Sequence, residues 1–235
     1  MPETWNITNP VKLKEIHKAY LNAGCNVISA NTFGANKFKC ENLDFTVENL
    51  ITSGVRIVKE AINESGKDAI TALDIGSLGK LLKPLGELSF YDAYDAFAEM
   101  ITFGEKAGAD LILIETMNDI YETKAAVLAA KENSSLPVAV TMIFDENGKL
   151  LTGGSTQAAV AMLEGLGVDA VGFNCGLGPK QMIKLMPALT ESTSLPILIQ
   201  PNAGLPVVVN GETVFNVEPE EFACDVKKLV ELGAS

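Results

Sequence analysis

The chain is short of several things, and each shortage closes a class of function. Basic residues are few: 18 Lys and Arg against 30 Asp and Glu leave a formal net charge of −12. Nucleic acid and anionic membrane surfaces both call for basic patches, so neither is an expected partner. Long apolar runs are missing too. The longest, such as 109–114, fall far below the roughly 20 residues of a membrane span. The opening Met1-Pro2-Glu3-Thr4-Trp5 has neither a basic segment nor an apolar run, so it does not read as a secretory signal. Cysteine is sparse and scattered. Cys25, Cys40, Cys175 and Cys224 form no Cys-x-x-Cys pair, which fits reduced thiols in the cytoplasm rather than a disulfide framework. No Gly-x-Gly-x-x-Gly segment follows an apolar run, and no stretch is of low complexity.

What is present is an ordinary globular mixture. Of 235 residues, 47% are apolar and 20% charged, enough to bury a sizeable core. Six short apolar runs, at 26–32, 69–75, 110–116, 137–144, 170–175 and 197–201, are continuously apolar rather than alternating, as strands buried on both faces are. Amphipathic segments separate them, at about 9–24, 44–66, 90–108, 119–133, 155–166, 178–192 and 218–233. Asn9-Pro10 offers a cap and a helix-starting proline, and Ser89 with Asp92 offers a cap and a first-turn acid. Gly24, Gly66, Gly108, Gly167 and Gly233 stand where helices end.

Alternating strands and helices without a long linker predict one α/β domain over 1–235. Either an open doubly wound sheet or a closed barrel has such units. Polar residues close nearly every strand: Asn31, Asp74, Glu115, Asp145, Asn174 and Asn202. In a barrel these converge on one mouth, where such folds place their chemistry, so a (β/α)8 TIM barrel is favoured. The helix before 26 has no strand ahead of it and the helix ending at Gly233 has none behind. The chain therefore reads as an incomplete barrel lacking its first and last strands, which are neighbours in the closed wall.

Two residues stand out as chemistry. Cys175, in Val171-Gly172-Phe173-Asn174-Cys175-Gly176-Leu177-Gly178-Pro179, falls between a strand end and a helix start, where free backbone N–H groups favour a thiolate. A plain buried cysteine is the alternative. Glu115 ends the wholly apolar Leu111-Ile112-Leu113-Ile114. A carboxylate there meets either a cation or substrate donor, or a structural ion pair. The loops Asn31-Thr32-Phe33-Gly34-Ala35-Asn36 and Pro201-Asn202-Ala203-Gly204-Leu205-Pro206 suit a polar pocket or plain turns. His17 reads as solvent-exposed without a role, and Trp5 as a packing residue. Cys25, Cys40 and Cys224 read as structural, at the opposite end or outside of the barrel.

Four segments occur in one order: Pro84-Leu85-Gly86-Glu87-Leu88-Ser89-Phe90, Ile114-Glu115-Thr116-Met117, the 172–179 run and the 201–206 loop. Together they resemble the homocysteine S-methyltransferase family, closest to the homocysteine-binding domain of cobalamin-dependent methionine synthases, over essentially all of the chain. The resemblance implies methyl transfer to homocysteine, yielding methionine. It implies a zinc ion held by three cysteine thiolates, with the homocysteine sulfur as fourth ligand. Cys175 matches the first of those cysteines. The other two form a Gly-Gly-Cys-Cys motif after the eighth strand, which this sequence does not contain. Glu115 matches the carboxylate that holds the amino group of homocysteine. Its aspartate partner belongs after strand one. Asn31, Thr32, Asn174 and Asn202 fall in segments that line the pocket.

The implied methyl donor is methylcobalamin on a separate cobalamin-binding module, with betaine or S-methylmethionine as donors elsewhere in the family. Two rivals stand. One is a non-catalytic truncated fragment that needs a complementing segment, with open edges on its outermost strands. The other is a phosphate-binding barrel enzyme, which the 201–206 loop does not resemble.

Overall fold

The computed structural model describes residues 1–209, 211–215 and 217–235. A 3-10 turn, Pro2–Thr4, leads into α1 (Trp5–Thr8) and α2 (Pro10–Ala23). There follow β1 (Val27–Ser29), α3 (Lys37–Cys40), α4 (Val47–Ser65), β2 (Ile70–Ile75), α5 (Phe90–Lys106), β3 (Leu111–Met117), α6 (Ile120–Asn133), β4 (Val138–Met142), α7 (Thr156–Gly165), β5 (Ala170–Asn174), α8 (Pro179–Thr190) and β6 (Ile197–Gln200). A hairpin of β7 (Val207–Val209) and β8 (Glu212–Val214) precedes α9 (Pro219–Glu231). The six main strands are hydrogen-bonded in sequential order, β1-β2-β3-β4-β5-β6. A doubly wound sheet would reverse that order, and no reversal occurs.

The residues pack as two compact units. Met1–Ile114 with Lys124–Val138 form one, and Glu115–Thr123 with Ala139–Ser235 the other. In the first, β1, β2 and β3 run parallel, with Ile28 opposite Thr71 and Leu73 opposite Ile112. Leu50, Ile51, Val55 and Val58 of α4 and Phe97, Met100 and Ile101 of α5 are wholly buried at helical spacing, so each helix sends one apolar stripe inward. The exposed side of the α2–α4 pair carries Lys14–Glu60, Lys14–Glu64 and Lys18–Glu64 ion pairs. The two lysines hold the Glu64 carboxyl down at about 2.

In the second unit β4, β5 and β6 pair in parallel, with Thr141 opposite Gly172 and Gly172 opposite Leu198. Phe144 and Phe173 meet edge to face at 5.1 Å between ring centroids, and Met182, Met186 and Leu189 close the core from α8. The first residue of β6 has a further partner at the sheet edge. Ser235 donates its N–H to the Ile197 carbonyl at 2.9 Å, and its hydroxyl accepts the Ile197 N–H at 3.2 Å. β1 and β6 stand at the two ends of the strand order, as expected of the outermost strands, and Ser235 covers only the first position of β6.

Several local expectations hold. Ser89 accepts the Asp92 N–H at 3.1 Å, and all five glycines read as helix stops have positive φ. Others need correcting. Asn9 occupies the cap position without capping, and its NH2 group donates to the Thr8 hydroxyl. His17 is 7% exposed, not solvent-facing. It shares the α2 stripe with Leu13 and Leu21 at four-residue spacing, and burial pushes its imidazole below the ordinary range. Trp5 is 44% exposed rather than packed. Cys40 ends α3 on the segment that follows β1, the strand's C-terminal side, and is buried there; Cys25 and the exposed Cys224 lie elsewhere.

Gly172 shows how closely β5 and β6 run. A Cβ built on it would lie 1.6 Å from the Leu198 carbonyl oxygen, a backbone atom that cannot swing aside. Gly172→Ala is expected to lower stability by about 3 kcal/mol in urea unfolding. Gly165→Ala, whose Cβ would meet open space in α7, is the control and should be neutral or slightly stabilising.

Candidate active site

β3 carries the carboxylate. Ile112, Leu113 and Ile114 are buried in succession, after which Glu115 and Thr116 are both half-buried. The strand's regular alternation breaks at Thr116, whose φ is +61°, a left-handed conformation that a β-branched residue rarely adopts. Burial pushes the Glu115 carboxyl above its ordinary range. Among the described residues none is hydrogen-bonded or ion-paired to its carboxylate.

β5 carries the thiol in a similar way. Cys175, half-buried, follows the last residue of the strand with φ +54°. Its N–H donates to the Gln200 carbonyl at 3.1 Å, and its carbonyl accepts the Leu177 N–H at 2.6 Å, folding the chain tightly into α8. Gly176 continues the turn at φ +67°, and a Cβ there would come within 2.9 Å of Ile143. Thr116 and Cys175 are the non-glycine positive-φ residues among those described. Such outliers cost about 1–3 kcal/mol each and gather where function demands them. They are tied together. The Asn174 Oδ1 accepts the Thr116 N–H at 2.9 Å, and its Nδ2 donates to the Thr116 hydroxyl at 2.6 Å. A cavity of about 660 Å3 opens just past Cys175, lined in part by Asn118, Phe144, Leu150, Gly176 and Leu177.

The remaining sequence candidates are placed as follows. Asn202 is half-buried beside this turn and donates its N–H to the Leu177 carbonyl at 3.0 Å. Asn31 and Thr32 belong to the first unit. The Asn31 amide donates to Asn6 and to the Pro2 carbonyl. The wholly buried Thr32 hydroxyl links to the Asp74 carbonyl at 2.8 Å and to the Asp74 N–H at 3.1 Å. Asp145 is spent on its own turn, accepting the Asn147 and Lys149 N–H groups. Sequence reasoning missed Thr116, Glu3 and Asn6. Glu3, 4% exposed, accepts the Gly34 N–H at 2.6 Å, and Asn6 donates to the Asn31 and Leu50 carbonyls at 2.8 Å each.

A thiol and a half-buried carboxylate at the C-terminal ends of parallel strands lie where α/β folds of this kind keep their chemistry. The chain belongs to the homocysteine S-methyltransferase family, whose model matches residues 1–235, as the four ordered motifs imply. It is 32% identical over 230 residues to the methionine synthases of Mycobacterium leprae and Mycobacterium tuberculosis. Each alignment covers 94% of this chain but 19% of the relative, so the chain spans about a fifth of their length. Among solved structures, the metallated homocysteine methyltransferase MmuM of Escherichia coli superposes with a TM-score of 0.81 at 19% identity. That match covers 98% of this chain and 80% of that one, and it establishes a shared fold.

Glu115 gives a test by titration. A carboxyl raised in the folded state imposes no penalty below the ordinary carboxyl range, near pH 4, where both states are protonated. The penalty grows as pH rises through the unfolded value and is complete above the folded one. Glu115→Gln is therefore expected to raise the thermal midpoint at pH 7–8, with the advantage disappearing by about pH 4. Equal midpoints across that range in calorimetry would show that the carboxylate is not desolvated.

Proposed function

We propose that the chain is the homocysteine-binding domain of a methyltransferase that converts homocysteine to methionine, and that residues 1–235 are one domain. On this reading β1 to β6 correspond to strands two to seven of an eight-fold barrel. The observation that carries it is the placement of Glu115 and Cys175 at the ends of β3 and β5 within one compact unit, in a chain matched throughout by the family. Glu115 receives the substrate ammonium. Desolvation makes the free carboxylate unfavourable, and an incoming cation relieves that cost while fixing the amino acid's orientation. Asn202 and the 174–177 turn frame the sulfur end, and the cavity past Cys175 gives the methyl donor room to approach. Asn31 and Thr32 brace their own loop within the first unit.

Zinc is the metal this family implies, and Cys175 is the residue here that would face it. The residues present do not complete a site. Among the described residues no group of three His, Cys, Asp or Glu is placed to hold an ion, and the sequence has no adjacent cysteine pair. No step is therefore assigned to a metal in this chain. That same observation favours a second reading, in which these 235 residues bind substrate and become active only with a complementing segment. The methionine synthase relatives favour methylcobalamin, on a cobalamin-binding module, over betaine or S-methylmethionine as donor. The charge and cysteine usage favour a cytoplasmic setting. No described helix is long and apolar enough to cross a membrane.

The test is calorimetry and metal analysis on the 235-residue chain. A full structural zinc site gains about 10–16 kcal/mol, and one thiolate of three should forfeit most of it. We expect homocysteine to bind weakly and through Glu115, with no stoichiometric zinc and no methyl transfer. Supplying a segment with an adjacent cysteine pair should restore zinc and activity, and Cys175→Ser should abolish both. Tight zinc on the chain alone would show that other side chains complete the site.

A further inference from the structure

The two left-handed residues of the site lie 59 positions apart in sequence, yet the side chain next to one of them is bound to the other. Asn174 is 5% exposed and immediately precedes Cys175. Both polar atoms of its amide end on Thr116, which immediately follows Glu115. The chemistry fixes the amide's orientation. A backbone N–H can only donate, so the atom 2.9 Å from the Thr116 nitrogen must be the oxygen, and the NH2 then faces the Thr116 hydroxyl. Asparagine is the short side chain that offers an acceptor and a donor side by side. That pair matches the N–H and the hydroxyl of a single threonine.

Neither turn is explained by its own residues. Thr116 is β-branched and Cys175 carries a Cβ, so each is disfavoured at positive φ when left to itself. The Thr116 N–H, turned out of its strand ladder, would be left without a partner if the Asn174 oxygen were absent. We infer that Asn174 is the positioning residue of this site: its amide clips the end of β3 to the end of β5, holds both turns left-handed, and so sets where Glu115 and Cys175 point. The meaning of that geometry for homocysteine rests on the functional reading above. The clip itself does not.

The experiment uses the full 235-residue chain with Asn174→Ala, Asn174→Asp, Thr116→Gly and the Asn174→Ala/Thr116→Gly double variant. Two readouts need no substrate. One is the Glu115 titration midpoint from carbon-labelled carboxyl resonances. The other is the iodoacetamide alkylation rate of Cys175, referred by mass spectrometry to the exposed Cys224. Asn174→Ala is expected to bring the Glu115 midpoint down toward the ordinary range by about half a unit or more. It should also change the Cys175 rate by about threefold or more. In the double variant, glycine adopts the left-handed turn unaided, so the Glu115 midpoint should return to within about 0.2 units of wild type. Asn174→Asp keeps both contacts, because the Thr116 hydroxyl can donate instead. Its added charge should push Glu115 higher and slow Cys175 alkylation, both by like charge.

A merely structural asparagine lowers the melting temperature and moves neither readout. Folded Asn174→Ala with wild-type values, or a double variant indistinguishable from Asn174→Ala, overturns the inference. If Asn174→Ala does not fold, the double variant decides: glycine at 116 should restore folding and the Glu115 midpoint, and a double variant that stays unfolded or folds with a shifted midpoint overturns it. Homocysteine affinity is measured in parallel. If wild type fails to bind homocysteine while the two readouts behave as described, the functional reading falls and the clip stands.

Discussion

A strand buried on both faces has no room for a charged side chain except near its ends. That constraint organises this molecule. Leu73, Ile112, Ile114, Val140 and Val171 are shut away from water on one side or the other. A charge among them would face a desolvation cost of several kcal/mol. Parallel pairing adds a direction, since each helix returns the chain so that successive strands finish at the same end. In the second unit Glu115, Asn174, Cys175 and Asn202 all lie where strands stop. The chemistry is located by exclusion as much as by design.

The same constraint explains which features could be read from the sequence. Continuous apolar runs bounded by polar residues gave away all six strands to within a few positions, and glycine gave away the helix ends. The identities of Glu115 and Cys175 were legible because a carboxylate and a thiol are conspicuous after such runs. Their conformations were not. Nothing in Glu115-Thr116-Met117 announces a left-handed threonine, because the group that stabilises it lies 58 residues away on another strand. His17 failed differently. Its spacing with Leu13 and Leu21 was visible, but the polar residue type outweighed the period. The hairpin of β7 and β8 and the opening turn and α1 were missed because each is short and carries too few periodic positions to signal.

Glu115 and the turns at Thr116 and Cys175 are each locally unfavourable, and they are concentrated within a few residues of one another along two strands. A desolvated carboxylate and two positive-φ side chains persist only where the surroundings over-determine them. Here those surroundings are the buried apolar strands behind them and the Asn174 amide between them. The first unit shows the contrary economy: Thr32 and Asn31 satisfy neighbouring backbone groups and remain in comfortable geometry. The distinction separates residues that hold the scaffold from residues held by it.

The seating of the chain's opening residues has a bearing on how the molecule assembles. Glu3 and Asn6 reach their partners Gly34, Asn31 and Leu50 across separations of 25 to 44 residues, and Gly54 leaves only enough space for the Asn6 amide. All of these groups lie within the first quarter of the chain. A nascent polypeptide can therefore complete this docking soon after α4 leaves the ribosome, long before β5 is synthesised. Loop closure over such distances is entropically inexpensive, so the β1 corner can form as an early, local folding step. The Thr116–Asn174 clip, by contrast, joins residues 58 positions apart and cannot form until β5 has been made.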